Sequence, residues 1–179
     1  MFWKRRRKRR SSGSARAGFL GVGAFLFLML GASLLAVEKL QDLQERFDRE
    51  THAGSKVKIL EKLGVAQFAA ASSAAKAEDY STVGLTLEKY RDNVRTCFDF
   101  LKKQEPDAEK HSEAYRHLEL QTRRALREVD EMLSIVSLDV QPPLQIVKQD
   151  LINIDDKLIQ LLFPRRSAEP TPPSPEKKP

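Results

Sequence analysis

Three histidines, one cysteine and a scatter of carboxylates are the side chains here with chemistry to offer. The histidines are His52, His111 and His117, and Glu113 stands four residues before His117, on one face of a helix. Di-iron bundles hold their metals with a Glu-x-x-His spacing on two helices. That spacing occurs nowhere in the chain, and no second Glu/His pair four apart exists. The histidines therefore read as surface residues near helix ends, and no metal is expected. Cys97 stands alone, so no internal disulfide and no cysteine metal site can be built. Covalent c-type haem is excluded because no Cys-x-x-Cys-His motif is present. Nor is there a Gly-x-Ser-x-Gly elbow, a His-Glu-x-x-His helix or a phosphate-cradling glycine loop. With 31% of the chain charged, pairs such as Asp130-Glu131 and Asp155-Asp156 read as solvated helix faces. The expectation is no catalytic residue, no cofactor and no enzymatic activity.

The elements that carry these residues are helical throughout. Leu40, Leu43 and Phe47 continue helical spacing through about 36–50, as a short stalk helix. Thr51 to Ser55 breaks it, with Gly54 as a stop and Ser55 as an N-cap for the next helix. That next helix, about 56–78, shows Leu60, Leu63, Phe68, Ala71 and Ala75 on one side. Its small-residue stretch 69–75 is expected to admit a neighbouring helix closely. Glu78 to Ser81 reads as a tight turn, with Asp79 or Ser81 as cap.

The helix over about 82–103 places Val83, Leu87, Tyr90, Val94, Cys97 and Leu101 at alternating steps of four and three, a heptad-like seam. Cys97 thus reads as a buried, inert thiol. Pro106 ends the helix, since a proline disfavours helical geometry in the residue before it. A third helix, about 112–136, repeats the device from Tyr115 to Val136. Pro142 or Pro143 then opens a fourth, where a helix's first turn accepts proline. This last helix has the seam Leu144, Val147, Leu151, Ile154, Leu158 and Leu161, and a second row at Ile152, Ile159 and Leu162. Two rows predict that it is the most buried of the four. No segment alternates with period two, so no sheet is expected. The fold class read from this pattern is all-α. An antiparallel, up-and-down four-helix bundle spans 55–163, after a stalk helix and linker at 38–54.

Phe98 and Phe100 flank Cys97, and at about 100° per residue both cannot share its seam. Phe98 lies four after Val94 and widens the core stripe. Phe100 is the odd one. It either packs under the loop at Pro106 or belongs to an exposed apolar patch, and it is the one candidate partner-binding residue.

Charge is distributed unevenly. Residues 1–17 hold eight Lys/Arg and no acid, and the segment after Pro164 adds a net +2. With a total of +6, this leaves −4 for residues 18–163. The folded part thus lacks the basic footprint of a nucleic-acid binder, and no nucleic-acid partner is expected. The basic segment precedes Gly18–Val37, 20 residues with no charge. As a helix they span about 30 Å, the thickness of a bilayer's hydrocarbon. The positive-inside rule puts the N-terminus in the cytoplasm and the rest outside. The same stretch also reads as a cleaved signal peptide, with Gly31-Ala32-Ser33 as the small residues at the cut. A twin-arginine signal fits less well, since the usual Phe-Leu-Lys pattern does not follow the basic block. Ala17 and Gly21, four apart, could support a homodimer through this anchor. At the other end, 164–179 has six prolines in 16 residues and is expected to be a disordered, polyproline-like tail.

Two resemblances accompany these readings. Leu63-Gly64, Phe68 and Lys76 to Tyr80 resemble the helix–turn–helix of tetratricopeptide repeats, although Gln67 replaces a usual aromatic and no second copy follows. More widely, Lys62-Leu63-Gly64 with Gln67-Phe68, Tyr90 to Val94, Leu118 to Leu120, Arg124 to Leu126 and Leu161 to Arg166 look like a group of exported bacterial helical proteins. Those motifs are core and capping residues, so they imply a shared fold and carry no activity to any residue. The functional expectation is a membrane-tethered or exported helical module of the bacterial envelope that binds another envelope protein. The alternative is an extracytoplasmic ligand-sensing bundle.

Overall fold

The computed structural model describes residues 38–164. The expected membrane or signal helix and the proline-rich tail lie outside the described residues. Within them the chain is all-α, a helical bundle of five helices. They are α1 (residues 38–49), α2 (Ala53–Lys76), α3 (Tyr80–Gln104), α4 (Ser112–Ile135) and α5 (Gln141–Leu162). No helix among the described residues is long and apolar enough to cross a membrane.

The helix ends follow local chemistry. Gly54 does not stop a helix; it sits inside the first turn of α2. The turn survives because the orphan N–H of Ala53 donates to Gln104 Oε1 of α3 at 3.0 Å. Asp79 caps α3, its carboxylate accepting from Thr82 N–H at 3.1 Å and from the Thr82 hydroxyl at 2.6 Å. Just before it, Glu78 has φ 58, and the N–H groups of Glu78 and Asp79 return to the carbonyls of Ala75 and Ala74. This is a Schellman closure with a non-glycine residue in the left-handed position. Prolines occupy the first turn of α5. Gln141 donates to the carbonyl of Leu133 at 3.0 Å and so closes the end of α4.

The seams expected on α3, α4 and α5 form one core, with Leu60, Leu63, Leu87, Leu118, Leu151 and Leu158 fully buried. Each such side chain contributes about 1.5–3 kcal/mol through burial. Close approach of helices occurs at Gly64 rather than along the small residues 69–75. A Cβ at Gly64 would lie 2.8 Å from the Tyr90 ring, which itself stacks tilted on Phe68 at 4.7 Å. Of the small stretch only Ala71 is buried.

Helix order differs from a simple up-and-down ring. In such a ring the first and last helices close against each other. Here α2 and α5 do not touch; α2 meets α4, α3 meets α5, and α3 also meets α4. Cross-links give the directions. Glu61 reaches His117, and Arg95 reaches Asp150, as expected of like-directed neighbours, while Lys148 reaches Asp130 across the antiparallel α4–α5 pair. The result is two antiparallel hairpins stacked side by side, with α2 and α4 in one layer and α3 and α5 in the other.

The stretch read as a stalk, α1, packs into the same core: Leu43 and Phe47 are buried. It lies beside α3 on the flank opposite α5. Asn93 faces α1, whereas Arg91, Arg95 and Phe98 face α5. The second row of α5 is not buried. Ile152, Ile159 and Leu162 are half-exposed, because no further described helix covers that flank. The last helix is therefore less buried than its two rows suggest.

Candidate functional site

The junction of α1, α2 and α3 holds the most unusual chemistry. Lys56, one turn before Leu60, is only 2% exposed. Its ammonium donates to the carbonyl of Phe47 in the last turn of α1. It also lies 4.3 Å from the centroid of the Phe47 ring and 4.8 Å from that of Phe100. A buried ammonium is costly unless its donors and charge are answered. Here the negative end of a helix and two aromatic faces answer it. Phe100 is half-buried against the core with this cation over its ring. It belongs to a second row on α3, with Asn93, Cys97 and Gln104, at steps of four, three and four.

The rest of that row ties α1 and its loop down. Asn93, 2% exposed, exchanges hydrogen bonds with Gln44 at 3.0 and 3.3 Å. Gln104 donates to the Thr51 carbonyl at 2.6 Å while accepting from Ala53. Cys97 is fully buried, and burial pushes its thiol up to about 12 against the pull of Lys56. At neutral pH it is therefore a protonated, inaccessible thiol and no nucleophile. Sequence reasoning missed Lys56, Asn93 and Gln104, although the 93–97–100–104 repeat was there to be read.

On the opposite flank of α3, Phe98 is buried, as its spacing from Val94 implied. With Arg95, Lys102, Asp150, Asn153, Ile154 and Lys157 it lines a cleft of about 300 Å³ between α3 and α5. Asp150 is engaged there by Arg91 at 3.4 Å and Arg95 at 3.1 Å.

Between α4 and α5, Arg123 Nε lies 2.5 Å from Glu119 and 3.7 Å from Asp155. Burial raises the Asp155 carboxyl, with Arg123 opposing. One Asp155 oxygen has no hydrogen-bond partner, and neither has the buried oxygen of Gln67. This carboxylate pair joins two helices, so neighbouring acids in the sequence did not announce it. Asp156 is exposed and Asp130 pairs with Lys148 at 2.6 Å, so neither sequence pair forms a dyad.

The histidines are spread apart. His52 and His111 precede α2 and α4 without capping them, and His117 reaches Glu61 at 3.1 Å. Among the described residues no three metal-capable side chains converge. Searches against known protein families, curated proteins and solved structures found no match to this chain.

Proposed function

We propose that this chain is a binding module of the bacterial envelope, tethered by or exported through its N-terminal segment, and that it performs no catalysis. Its fold in this reading is a four-helix bundle following an N-terminal membrane or signal helix. The partner is another envelope protein. The observation that carries the reading is the α1 junction. Residue 38 follows the apolar stretch 18–37 directly, and α1 is built into the core through Phe47, Lys56 and the Gln44–Asn93 pair. In this reading the N-terminal segment continues in sequence into α1, an element of the bundle's own core. Among the described residues the two buried side chains with nucleophilic atoms are used structurally, Cys97 by burial and Lys56 by the Phe47 carbonyl.

The polar α3–α5 cleft favours the second reading, a ligand-sensing domain. One measurement tests the location common to both readings, and a second separates them. A phosphatase reporter fused after Phe163 is expected to be active, whereas strong activity from a cytoplasm-only reporter would overturn the envelope location. Photo-crosslinking of the full chain in intact cells is expected to give discrete protein adducts. Saturable small-molecule binding in the cleft with no adducts from any face would favour the sensor.

A further inference from the structure

The outer flank of the α4–α5 hairpin carries an apolar row with no described helix over it. Ile152 and Ile159 stand four residues after Lys148 and Asp155, the two α5 side chains that reach α4. The row therefore runs along the α4–α5 boundary, and Leu162 continues it. All three side chains are half-exposed. The α2–α3 hairpin solves the same problem with a helix. Its outer flank is sealed by α1, which inserts Leu43 and Phe47 into the core. A hairpin of this kind thus accepts one more helix on its outer side, and among the described residues α4–α5 lacks it. The missing element must be a helix with an apolar row of its own, and α5 of a second copy is such a helix.

The charges beside the row select the direction in which two copies meet. Lys148 stands four residues before Ile152, and Asp156 four residues after it. Rows of this spacing lie side by side at the commonest helix crossing. Two α5 helices crossing antiparallel at Ile152 bring Lys148 of each copy beside Asp156 of the other. Parallel helices would set Asp156 against Asp156. Asp156 is exposed and, among the described residues, in no ion pair, whereas Asp155 has Arg123 at 3.7 Å. Lys148 meets Asp130 at 2.6 Å and keeps further N–H donors to give. The antiparallel register also sets Ile159 beside the stem of Gln145. We infer that this chain pairs with a second copy of itself through the outer face of α5, antiparallel about Ile152. Such an isologous contact is the commonest kind among soluble oligomers. It needs no other protein and does not depend on where the domain resides. The row is short, so the pair is weak, forming at about 100 µM and separating near about 1 µM.

The test uses the full chain in non-ionic detergent. Ile152→Cys is oxidised with copper phenanthroline, and Leu120→Cys and Leu85→Cys serve as exposed controls on other faces. Cys97 is buried and stays silent. A residue on the two-fold axis meets its own copy. Ile152→Cys is therefore expected to give at least about tenfold more disulfide-linked dimer than either control at about 100 µM. Charge reversal then reads the register. Added to Ile152→Cys, Asp156→Lys and Lys148→Glu each set like charges side by side and should cut the bridging about tenfold. Mixed one to one, the two variants regain opposite charges at both contacts, and bridging should return. Asp156 is exposed and Lys148 half-exposed, so circular dichroism should show both variants folded. Equal bridging from all three cysteine positions would mean undirected contact and overturn the proposal. Bridging at Ile152 that ignores the reversals, or that the mixture fails to restore, would overturn the antiparallel register and the proposal with it. No self-bridging at Ile152, with photo-crosslinks from that position in cells to other proteins alone, would give the flank to a different partner and overturn it too.

Discussion

The two helical hairpins share a plan and differ in what lies beside them. The α2–α3 hairpin has α1 on one flank and the α4–α5 hairpin on the other. It buries not only an apolar seam but also Lys56, Gln67 and Asn93. Among the described residues the α4–α5 hairpin is covered on one flank alone, and the polar side chains it buries are Glu119 and Thr122. Its second row of Ile152, Ile159 and Leu162 stays half-exposed although it is more apolar than Lys56 and Asn93, which are buried beside α1. Burial here is decided by the neighbour and not by the side chain. A lysine is driven inside where α1 crosses it, and isoleucines are left outside where nothing described crosses them.

The largest effect that could break this comparison lies within α5. Leu151→Ala or Leu158→Ala should each cost roughly 2–5 kcal/mol, since both side chains are fully buried. Ile152→Ala or Ile159→Ala, one position away, should cost less than about 1 kcal/mol. Urea unfolding measures all four, and equal losses from the two rows would show that the outer flank is covered.

Next comes the joint. Lys56→Ala removes a buried side chain and leaves the Phe47 carbonyl unanswered, for about 2–4 kcal/mol. Lys56→Met keeps the length of the stem and should remain within about 1.5 kcal/mol of the parent. An alanine variant as stable as the parent would mean that α1 is held by something else.

Gly64→Ala is smaller. The new methyl meets Tyr90 at 2.8 Å, and a ring held against Phe68 has little room to yield. Overpacking of about 1–3 kcal/mol outweighs the gain in helix propensity, about 1 kcal/mol. A rise in melting temperature would show that the contact is looser than described.

Alkaline pH gives the last and most gradual effect. Cys97 moves from its usual 9.0 up to about 12, and burial raises Tyr90 from 10.0 as well. The unfolded chain releases these protons first. The stabilisation is therefore complete below about pH 9 and is lost as pH climbs toward 12, at up to about 1.4 kcal/mol per unit per group. Cys97→Ala should flatten that decline in thermal melts between pH 9 and 11; an unchanged slope would show that the thiol is hydrated.

Much of the fold was legible from periodicity. The seams of α3, α4 and α5, the Asp79 cap and the prolines opening α5 each follow from spacing or local chemistry. Helix order was not legible, because a seam says that a helix is covered and not by which neighbour. The same gap explains Phe100, which looked off-pattern only while α1 was taken for a stalk. Gly54 misled because a long-range acceptor, Gln104, supplies what a first turn needs.

Photo-crosslinking of the full chain in intact cells, with probes placed in turn on each exposed helix face, tests the central claim of a binding module most directly. The account predicts discrete protein adducts that cluster on one face of the bundle. Adducts from no face, with saturable small-molecule binding in the α3–α5 cleft, would contradict it.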